Sequence, residues 1–121
     1  MKNTKIGLGL AALGRPDYIN IRSKQDIDKS IEAFKINALE VLDESYKLGI
    51  TDFDVAPSYG LGEQFLQDWN DSRHYKDVHL STKFGYTYVA NWELGFSGKH
   101  EIKEHSIAKL NEQWDVSKAL L

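Results

Sequence analysis

The sequence predicts an α/β fold in which parallel strands alternate with helices. Short apolar runs typical of buried strands are separated by segments whose apolar residues recur at helical spacing, in the order strand, helix, strand, helix, strand, helix. Alternation of this kind predicts a parallel sheet with right-handed crossovers. The chain has 121 residues, of which 41% are hydrophobic, and this is enough for one domain with a core.

The first strand is predicted at residues 5–10, KIGLGL, where Gly7 and Gly9 allow another backbone to approach closely. Residues 11–16 are expected to leave this strand as a loop. The glycines do not match the dinucleotide-binding fingerprint, which requires a helix to open directly behind them. Residues 16–29 are polar without a clear period, and we expect them to cross the surface with a helical turn near their end.

The first helix is predicted over about residues 30–48, with Gly49 as its stop. The second strand follows at residues 50–55. Because side chains alternate along a strand, Asp52 and Asp54 share one face and the residue between them faces the helices. The helix has one largely apolar face, formed by Phe34, Ala38, Val41, Leu42, Ser45 and Leu48.

The second helix is predicted at residues 61–69 and is followed by a polar connection at residues 70–76. The third strand is predicted at residues 78–84. Its mostly apolar face is expected to meet the helices, which leaves Lys83 on the same side of the sheet as Asp54.

The last part of the chain is predicted as a long loop at residues 86–100 and a third helix from residue 101 to about 112. The loop leaves the carboxyl end of a strand, so its aromatic residues, Tyr86 and Trp92 among them, could line a substrate pocket. The alternative is that they fold back onto the domain. The buried candidates of the third helix are Ile102, Ile107 and Leu110.

Composition excludes several classes of function. The net charge of -3 and the pI near 5.8 argue against a nucleic-acid-binding protein. The chain has no cysteine, so it can form neither disulfides nor thiolate metal sites, and its histidines lack ligand partners at useful spacing, which predicts no metal site. No apolar stretch has the length of a membrane span or the form of a signal peptide, and we expect a cytoplasmic protein with no membrane partner.

Three polar residues at the ends of neighbouring strands suggest carbonyl chemistry. Asp54 ends the second strand, Tyr59 opens the loop behind it, and Lys83 ends the third strand. The carboxyl ends of parallel strands meet at one edge of a sheet, so these side chains can converge. A lysine cation favours the ionised form of a nearby tyrosine, and a carboxylate can hold that lysine in place and keep it charged. The hydride must come from a cofactor, because no side chain can donate one.

Two segments of the chain resemble the aldo-keto reductases. The run DVAPSYG, from Asp54 to Gly60, is similar to that family's D-x-A-x-x-Y-G segment. The run STKFG, residues 81–85, is similar to its S-T-K-x-G strand end. Within the family, the chain resembles the sugar and pyridoxal dehydrogenase branch. The resemblance is specific over residues 48–85 and extends more loosely over residues 5–112.

This resemblance implies a (β/α)8 barrel of the TIM-barrel type, of which the chain would cover about the first three βα units as the N-terminal part of a single domain. It implies an NAD(P)-dependent oxidoreductase that interconverts carbonyl and alcohol, or sugar hemiacetal and lactone. The implied site comprises catalytic Asp54, Tyr59 and Lys83; NADP or NAD beside Gly9, Leu10 and Asp54; and a small carbonyl or sugar-like substrate beside Tyr59, Tyr86 and Trp92. Gly7, Gly9 and Gly14 could let the cofactor approach the mouth of the barrel, and simple turn chemistry explains them equally well.

The chain also departs from the family pattern. A complete barrel takes roughly 250 residues, and the family's fourth catalytic residue, a histidine at the end of strand four, has no match here. We therefore expect the chain alone to be incomplete for activity and to bind cofactor weakly. The alternative is a non-catalytic barrel fragment or scaffold subunit. Uncovered strand edges and apolar surface predict that the isolated chain self-associates or pairs with the missing half of the barrel.

Overall fold

A computed structural model describes residues 5–17 and 28–121. The surface crossing expected at residues 16–29 lies largely outside these ranges. In chain order, the described residues form β1 (Gly7–Gly9), α1 (Ala11–Gly14), α2 (Ile31–Lys47), β2 (Asp52–Asp54), α3 (Gly62–Arg73), β3 (His79–Ser81), β4 (Tyr86–Tyr88), β5 (Glu101–Lys103) and α4 (Ile107–Leu120).

The first three strands form the predicted parallel sheet, in the order β1-β2-β3. Phe53, in the middle of β2, pairs with Leu8 on one side and Leu80 on the other. Asp54 lies one layer further toward the carboxyl end, level with Gly9 and Ser81. The hydrogen-bonded ladder extends over three residues of each strand, so all three strands are shorter than predicted.

The core lies between this sheet and helices α2 and α3. Its fully buried side chains are Leu10, Leu42, Phe53, Val55, Leu66 and Trp69. The opposite face of the sheet carries glycines and polar residues that are exposed or only half-buried, with Asp52 and Asp54 at its centre. The alternation read from the sequence therefore assigns the two faces of β2 correctly.

Helix α2 has the boundaries that its sequence predicts. The Ser30 hydroxyl accepts a hydrogen bond from the Ala33 amide at 3.2 Å, which caps the first turn. Gly49 follows the last turn with φ +94°, a conformation that glycine adopts without strain. Ala38, Leu42 and Ser45 are buried as expected. The expectation for Leu48 was wrong: this residue caps the helix and is 82% exposed.

Helix α3 runs one turn further than predicted. It continues to Arg73, into the first half of the segment interpreted as a polar connection. The extra turn is held to α2 by Arg73, whose guanidinium donates two hydrogen bonds to the carboxylate of Asp43, at 2.9 and 2.7 Å. Trp69, fully buried, donates its indole N–H to the same carboxylate at 2.9 Å. The helix ends at His74, which adopts the left-handed conformation (φ 58°).

The loop predicted at residues 11–16 begins instead with the short helix α1. The carbonyl oxygen of Leu10 accepts hydrogen bonds from the amides of Leu13 and Gly14, at 3.1 and 3.0 Å, and these bonds close its single turn. A helix of four residues is too short to show a hydrophobic period, which is why the sequence did not reveal it.

The chain after β3 differs most from prediction. Residues 86–88 and 101–103 pair as an antiparallel hairpin, β4–β5, where a loop and the start of a helix were expected. Helix α4 starts later, because Ser106 caps it by accepting a hydrogen bond from the Lys109 amide at 3.0 Å. Two of its three proposed core residues are exposed: Ile102, which lies in β5, by 57% and Ile107 by 74%.

None of the helices in the described ranges is both long and apolar enough to cross a membrane.

Candidate active site

The structure brings Asp54, Tyr59 and Lys83 together at the carboxyl end of the sheet. The Lys83 ammonium forms an ion pair with Asp54, with Nζ and Oδ2 2.5 Å apart, and it also donates to the Val55 carbonyl oxygen at 3.0 Å. Lys83 Nζ lies 4.8 Å from the centroid of the Tyr59 ring. Ser81 donates its hydroxyl to the second carboxylate oxygen of Asp54 at 2.9 Å. Both oxygens of Asp54 are therefore held by the neighbouring strand.

The electrostatics of this cluster keep Lys83 charged. Burial of the ammonium acts to lower the pKa of Lys83, but hydrogen bonds to Asp54 and Tyr59 outweigh burial and raise that pKa above its usual value. The lysine is therefore a cation at neutral pH. A fixed cation beside a phenol stabilises the phenolate, which is the form in which tyrosine can take up a proton.

Close packing of two backbone segments fixes the position of Tyr59. The Leu61 amide donates to the Gly14 carbonyl oxygen at 2.8 Å. A Cβ atom at Gly14 would collide with the Tyr59 carbonyl oxygen, and one at Gly60 would collide with Arg15. Gly14 is therefore explained by packing against the tyrosine loop, which favours the turn-chemistry interpretation of this glycine.

A cavity of about 340 Å³ lies beside Tyr59 and Lys83. The strand-end residues form one side of it and the β4–β5 hairpin region forms the other. Besides Tyr59 and Lys83, its walls include Phe84, Tyr86, Glu101 and His105. Apolar rings, hydrogen-bonding groups and two opposite charges thus surround a space of the size of a small metabolite.

The imidazole of His105 has a defined place in this wall. Its ring meets the edges of Phe84 and Tyr86, with both centroid distances at 5.8 Å. The backbone beneath it is Gly85, with φ +110°, where a Cβ atom would collide with the imidazole. Any residue other than glycine at position 85 would displace His105 from the cavity wall.

Of the four other residues predicted for the site, two lie at the cavity or on the open face of the sheet and two lie elsewhere. Tyr86 lines the cavity, and Gly9 lies level with Asp54 on the open face of the sheet. Leu10 does not reach the open face: its side chain is fully buried, and its amide donates to the Asp54 carbonyl oxygen at 2.9 Å. Trp92 lies away from the cavity.

Trp92 follows the alternative in which the loop folds back onto the domain. Its ring packs edge-on against Phe34, at a centroid distance of 5.2 Å, and near Phe65 at 6.4 Å. Its indole N–H donates to the Lys29 carbonyl oxygen at 2.8 Å. These contacts hold the indole against the helix layer, and Trp92 does not line the cavity beside Tyr59.

Sequence reasoning missed several residues of the site. Glu101 and His105 were assigned to a helix, whereas the alternation in Tyr86-Thr87-Tyr88 and the turn glycines between residues 89 and 100 could have indicated a hairpin. Arg15 carried no signal of its own, because its role depends on contacts that are distant in sequence. Glu63 was not missed: its place in the first turn of the second predicted helix suggested that it supports the helix N-terminus or steadies the site. It is buried and accepts a hydrogen bond from the Thr82 hydroxyl at 3.0 Å, so it supports the segment that carries Lys83.

Across residues 5–17 and 28–121, no group of His, Asp or Glu side chains is arranged to hold a metal ion.

Comparison with known proteins identifies the fold. No family model matches the chain, and no curated protein matches it either. Two solved structures, both of a Pseudomonas aeruginosa protein provisionally assigned to the aldo-keto reductases, superpose with a TM-score of 0.64 at 22% sequence identity. The likeness covers 95% of this chain but 36% of one solved chain and 37% of the other.

This likeness supports the resemblance seen in the sequence. At 22% identity it establishes the fold: the chain has the structure of part of an aldo-keto reductase-type (β/α)8 barrel. The chain spans little more than a third of the solved structures it matches. A shared fold does not establish a shared activity, so the activity of this protein has to be argued from its own side chains.

Proposed function

We propose that the protein is an NAD(P)-dependent oxidoreductase that interconverts a carbonyl group and an alcohol, or a sugar hemiacetal and a lactone, in the cytoplasm. The observation that supports this best is the cluster of Asp54, Tyr59 and Lys83 beside a cavity at the carboxyl end of a parallel sheet. Each of these residue types has a role in moving a proton at a carbonyl oxygen.

In the proposed mechanism Tyr59 is the acid and base. Its phenol gives a proton to the carbonyl oxygen in reduction and takes one from the hydroxyl in oxidation. Lys83 stabilises the phenolate, which is the product of proton transfer in reduction and the starting form in oxidation. Asp54 holds the ammonium of Lys83 in place through the ion pair at 2.5 Å, and Ser81 holds Asp54. The chain residues thereby supply the proton transfer and its electrostatic support.

We expect a nicotinamide cofactor, either NAD or NADP, to bind at the open face of the sheet. A Cβ atom at Gly9 would meet nothing within 4 Å, so this strand leaves free space next to Asp54. Gly9 and Asp54 would border the cofactor there, and the cofactor would supply the hydride that no side chain can donate. Leu10 would support it only from behind, since its side chain is buried in the core.

The cavity favours a small carbonyl compound or a sugar-like substrate. Phe84 and Tyr86 provide apolar surface, while the carboxylate of Glu101 and the imidazole of His105 provide hydrogen-bonding groups for hydroxyls. Glu101 is 34% exposed and accepts a hydrogen bond from Arg15 at 3.2 Å. A polar substrate would thus meet groups that are already oriented.

The substitution Tyr59→Phe tests the proposal most directly. We expect it to lower turnover by roughly 100-fold or more, the usual contribution of a positioned acid–base group, while the dissociation constant of the nicotinamide cofactor stays nearly constant. The measurement is steady-state kinetics with an accepted carbonyl substrate and fluorescence titration of the cofactor, on the protein expressed from its complete reading frame. Tyr75→Phe is the matched control, because Tyr75 stacks on Tyr46 away from the cavity. Near-normal turnover by Tyr59→Phe would remove Tyr59 from the acid–base role.

We also propose that the 121-residue chain self-associates. In the described residues, β1 and β3 each have an unpaired edge, and α4 exposes Ile107, Trp114 and Val116 by more than half. Unpaired strands and apolar surface of this kind bind a second copy or the remaining part of a barrel. We expect light scattering of the isolated chain to give a mass above that of one copy. A monomer at high concentration would contradict this.

A further inference from the structure

Arg15 is a buried cation that connects three segments of the chain. Its side chain is 4% exposed, and its Nη1 donates to the Ser58 carbonyl oxygen at 3.0 Å and to Glu101 Oε2 at 3.2 Å. The guanidinium also lies 5.6 Å from the centroid of the Tyr88 ring. Ser58 belongs to the tyrosine loop, whereas Tyr88 and Glu101 belong to the two strands of the hairpin.

Asp17, two residues further along, holds the loop at the tip of the hairpin. Its carboxylate accepts a hydrogen bond from the Gly95 amide at 3.0 Å and one from Lys29 at 2.7 Å. Arg15 therefore contacts the pair of the ladder nearest the loop, Tyr88 with Glu101, and Asp17 contacts the loop itself. The chain between Arg15 and Asp17 is stiffened by Pro16, which is also buried.

These contacts lie directly behind the proposed active site. Ser58 precedes Tyr59 in sequence, and Glu101 forms part of the wall of the same cavity as Tyr59 and Lys83. The backbone of Gly14 is bonded to the tyrosine loop from the other side, through the Leu61 amide. The width of the cavity is thus determined by how Arg15 joins the loop that carries Tyr59 to the strand that carries Glu101.

We propose that Arg15 is a positioning residue that holds the β4–β5 hairpin against the Tyr59 loop and so determines which substrates fit between them. The role in substrate selection rests on the proposed function of the cavity. The contacts of Arg15 with Ser58, Tyr88 and Glu101 are independent of that function. Arg15 thus has a role in substrate selection although it touches neither the substrate nor the cofactor.

The substitution Arg15→Lys is the test. Both hydrogen bonds come from Nη1, at the far end of the guanidinium. A lysine keeps the positive charge, but its side chain is one bond shorter and lacks the planar group beside the Tyr88 ring, so its ammonium cannot take the position of Nη1 between Ser58 and Glu101. We expect kcat/KM to fall by roughly 10- to 100-fold, mainly through KM. Because the hairpin is no longer fixed, the ratio of kcat/KM for a small aldehyde to that for a bulky one should move toward one. The cofactor dissociation constant should change by less than about twofold.

Arg73→Lys is the matched control. Arg73 also forms a double hydrogen bond with a carboxylate, that of Asp43, but this pair joins α2 to α3 away from the cavity. General destabilisation would lower kcat for every substrate alike by reducing the folded fraction, in either variant, and would leave the substrate ratio constant. Only a positioning role predicts that Arg15→Lys changes this ratio and that Arg73→Lys does not.

Hydrogen exchange separates this inference from the proposed function. The Val89 amide donates to the His100 carbonyl oxygen at 2.8 Å and reports on the hairpin without any substrate. Arg15→Lys should accelerate its exchange at least tenfold relative to Arg73→Lys, even if the wild-type protein reduced no carbonyl and the proposed function failed. Unchanged exchange at Val89 would overturn the inference. An unchanged KM and substrate ratio in an active protein would overturn it equally, while leaving the proposed function intact.

Discussion

The sheet region (β1 to β3 with α2 and α3) and the hairpin region (β4, β5 and α4) are stabilised in different ways. The sheet region has a core of apolar side chains that are at most 1% exposed, including Leu42, Phe53 and Trp69. In α4 the buried residues are polar, Gln113 and Ser117, while Ile107, Trp114 and Val116 are more than half exposed. A core of many apolar contacts tolerates the loss of a polar bond, whereas a hairpin held by a few polar contacts does not.

This difference separates the two halves of the proposed site. Asp54 ends β2 and Lys83 follows β3, and the positions of these two strands follow from the core. Glu101 lies in β5 and His105 between β5 and α4, in a region held by polar contacts such as those of Arg15 and Gln113. We therefore expect substitutions in the sheet region to change stability and substitutions in the hairpin region to change the shape of the cavity.

The largest effect should come from truncating the core, in Phe53→Ala. Phe53 is 1% exposed and packs against Trp69 with a centroid distance of 5.1 Å. We expect the free energy of unfolding, measured by urea denaturation, to fall by about 3–5 kcal/mol, through lost burial and the cavity left behind. Ile102→Ala, in the exposed face of the hairpin, is the matched comparison and should change it by less than about 0.5 kcal/mol. Similar losses for both would show that the hairpin has a core of its own.

The same difference explains how much of the molecule the sequence predicts. Residues 30–85 could be assigned because burial of Leu42 and Phe53 imposes a visible hydrophobic period, and the ion pair of Asp54 with Lys83 followed from strand alternation. The hairpin has a local signal in its alternation and turn glycines, but its place against the sheet could not be assigned in this way. Its contacts, such as that of Arg15 with Glu101, join residues that are far apart in sequence and leave no local pattern.

A smaller and more local effect is expected from Gln113→Glu. The side-chain amide of Gln113 accepts a hydrogen bond from the Gly85 amide and donates one to the Tyr86 carbonyl oxygen, both at 2.8 Å. A carboxylate can accept the first but cannot donate the second, and leaving a buried carbonyl without its donor costs about 1–3 kcal/mol. Residues 84–86, against which His105 packs, should therefore become more mobile. We expect faster hydrogen exchange at the Glu104 amide, which donates to the Gly85 carbonyl oxygen.

The control for this prediction is Gln67→Glu, on a half-buried position of α3 whose amide oxygen only accepts a hydrogen bond, from Gln64. A carboxylate preserves that acceptor, so exchange at Glu104 should stay as in the wild type. If Gln113→Glu left Glu104 equally protected, the polar contacts of the hairpin region would not be what holds it.

The smallest effect should appear in acid, at the tip of the hairpin. The pKa of Asp17 lies below its usual value. The hydrogen bond from the Gly95 amide is the largest cause and the one from Lys29 the second, and the charge of nearby His100 adds to the shift. Slight burial of the carboxylate acts in the opposite direction, to raise this pKa. Because the folded-state pKa of Asp17 is lowered, its stabilising contribution is complete above the unfolded value near 3.8 and is lost as the pH falls through the folded value.

We expect the NMR signal of the Gly95 amide to move below roughly pH 4, where carboxylates take up protons. In Asp17→Asn, whose amide oxygen can still accept this hydrogen bond, the signal should stay constant over the same range. A Gly95 signal that moves equally in both proteins would mean that another group opens the tip, and that Asp17 does not hold it.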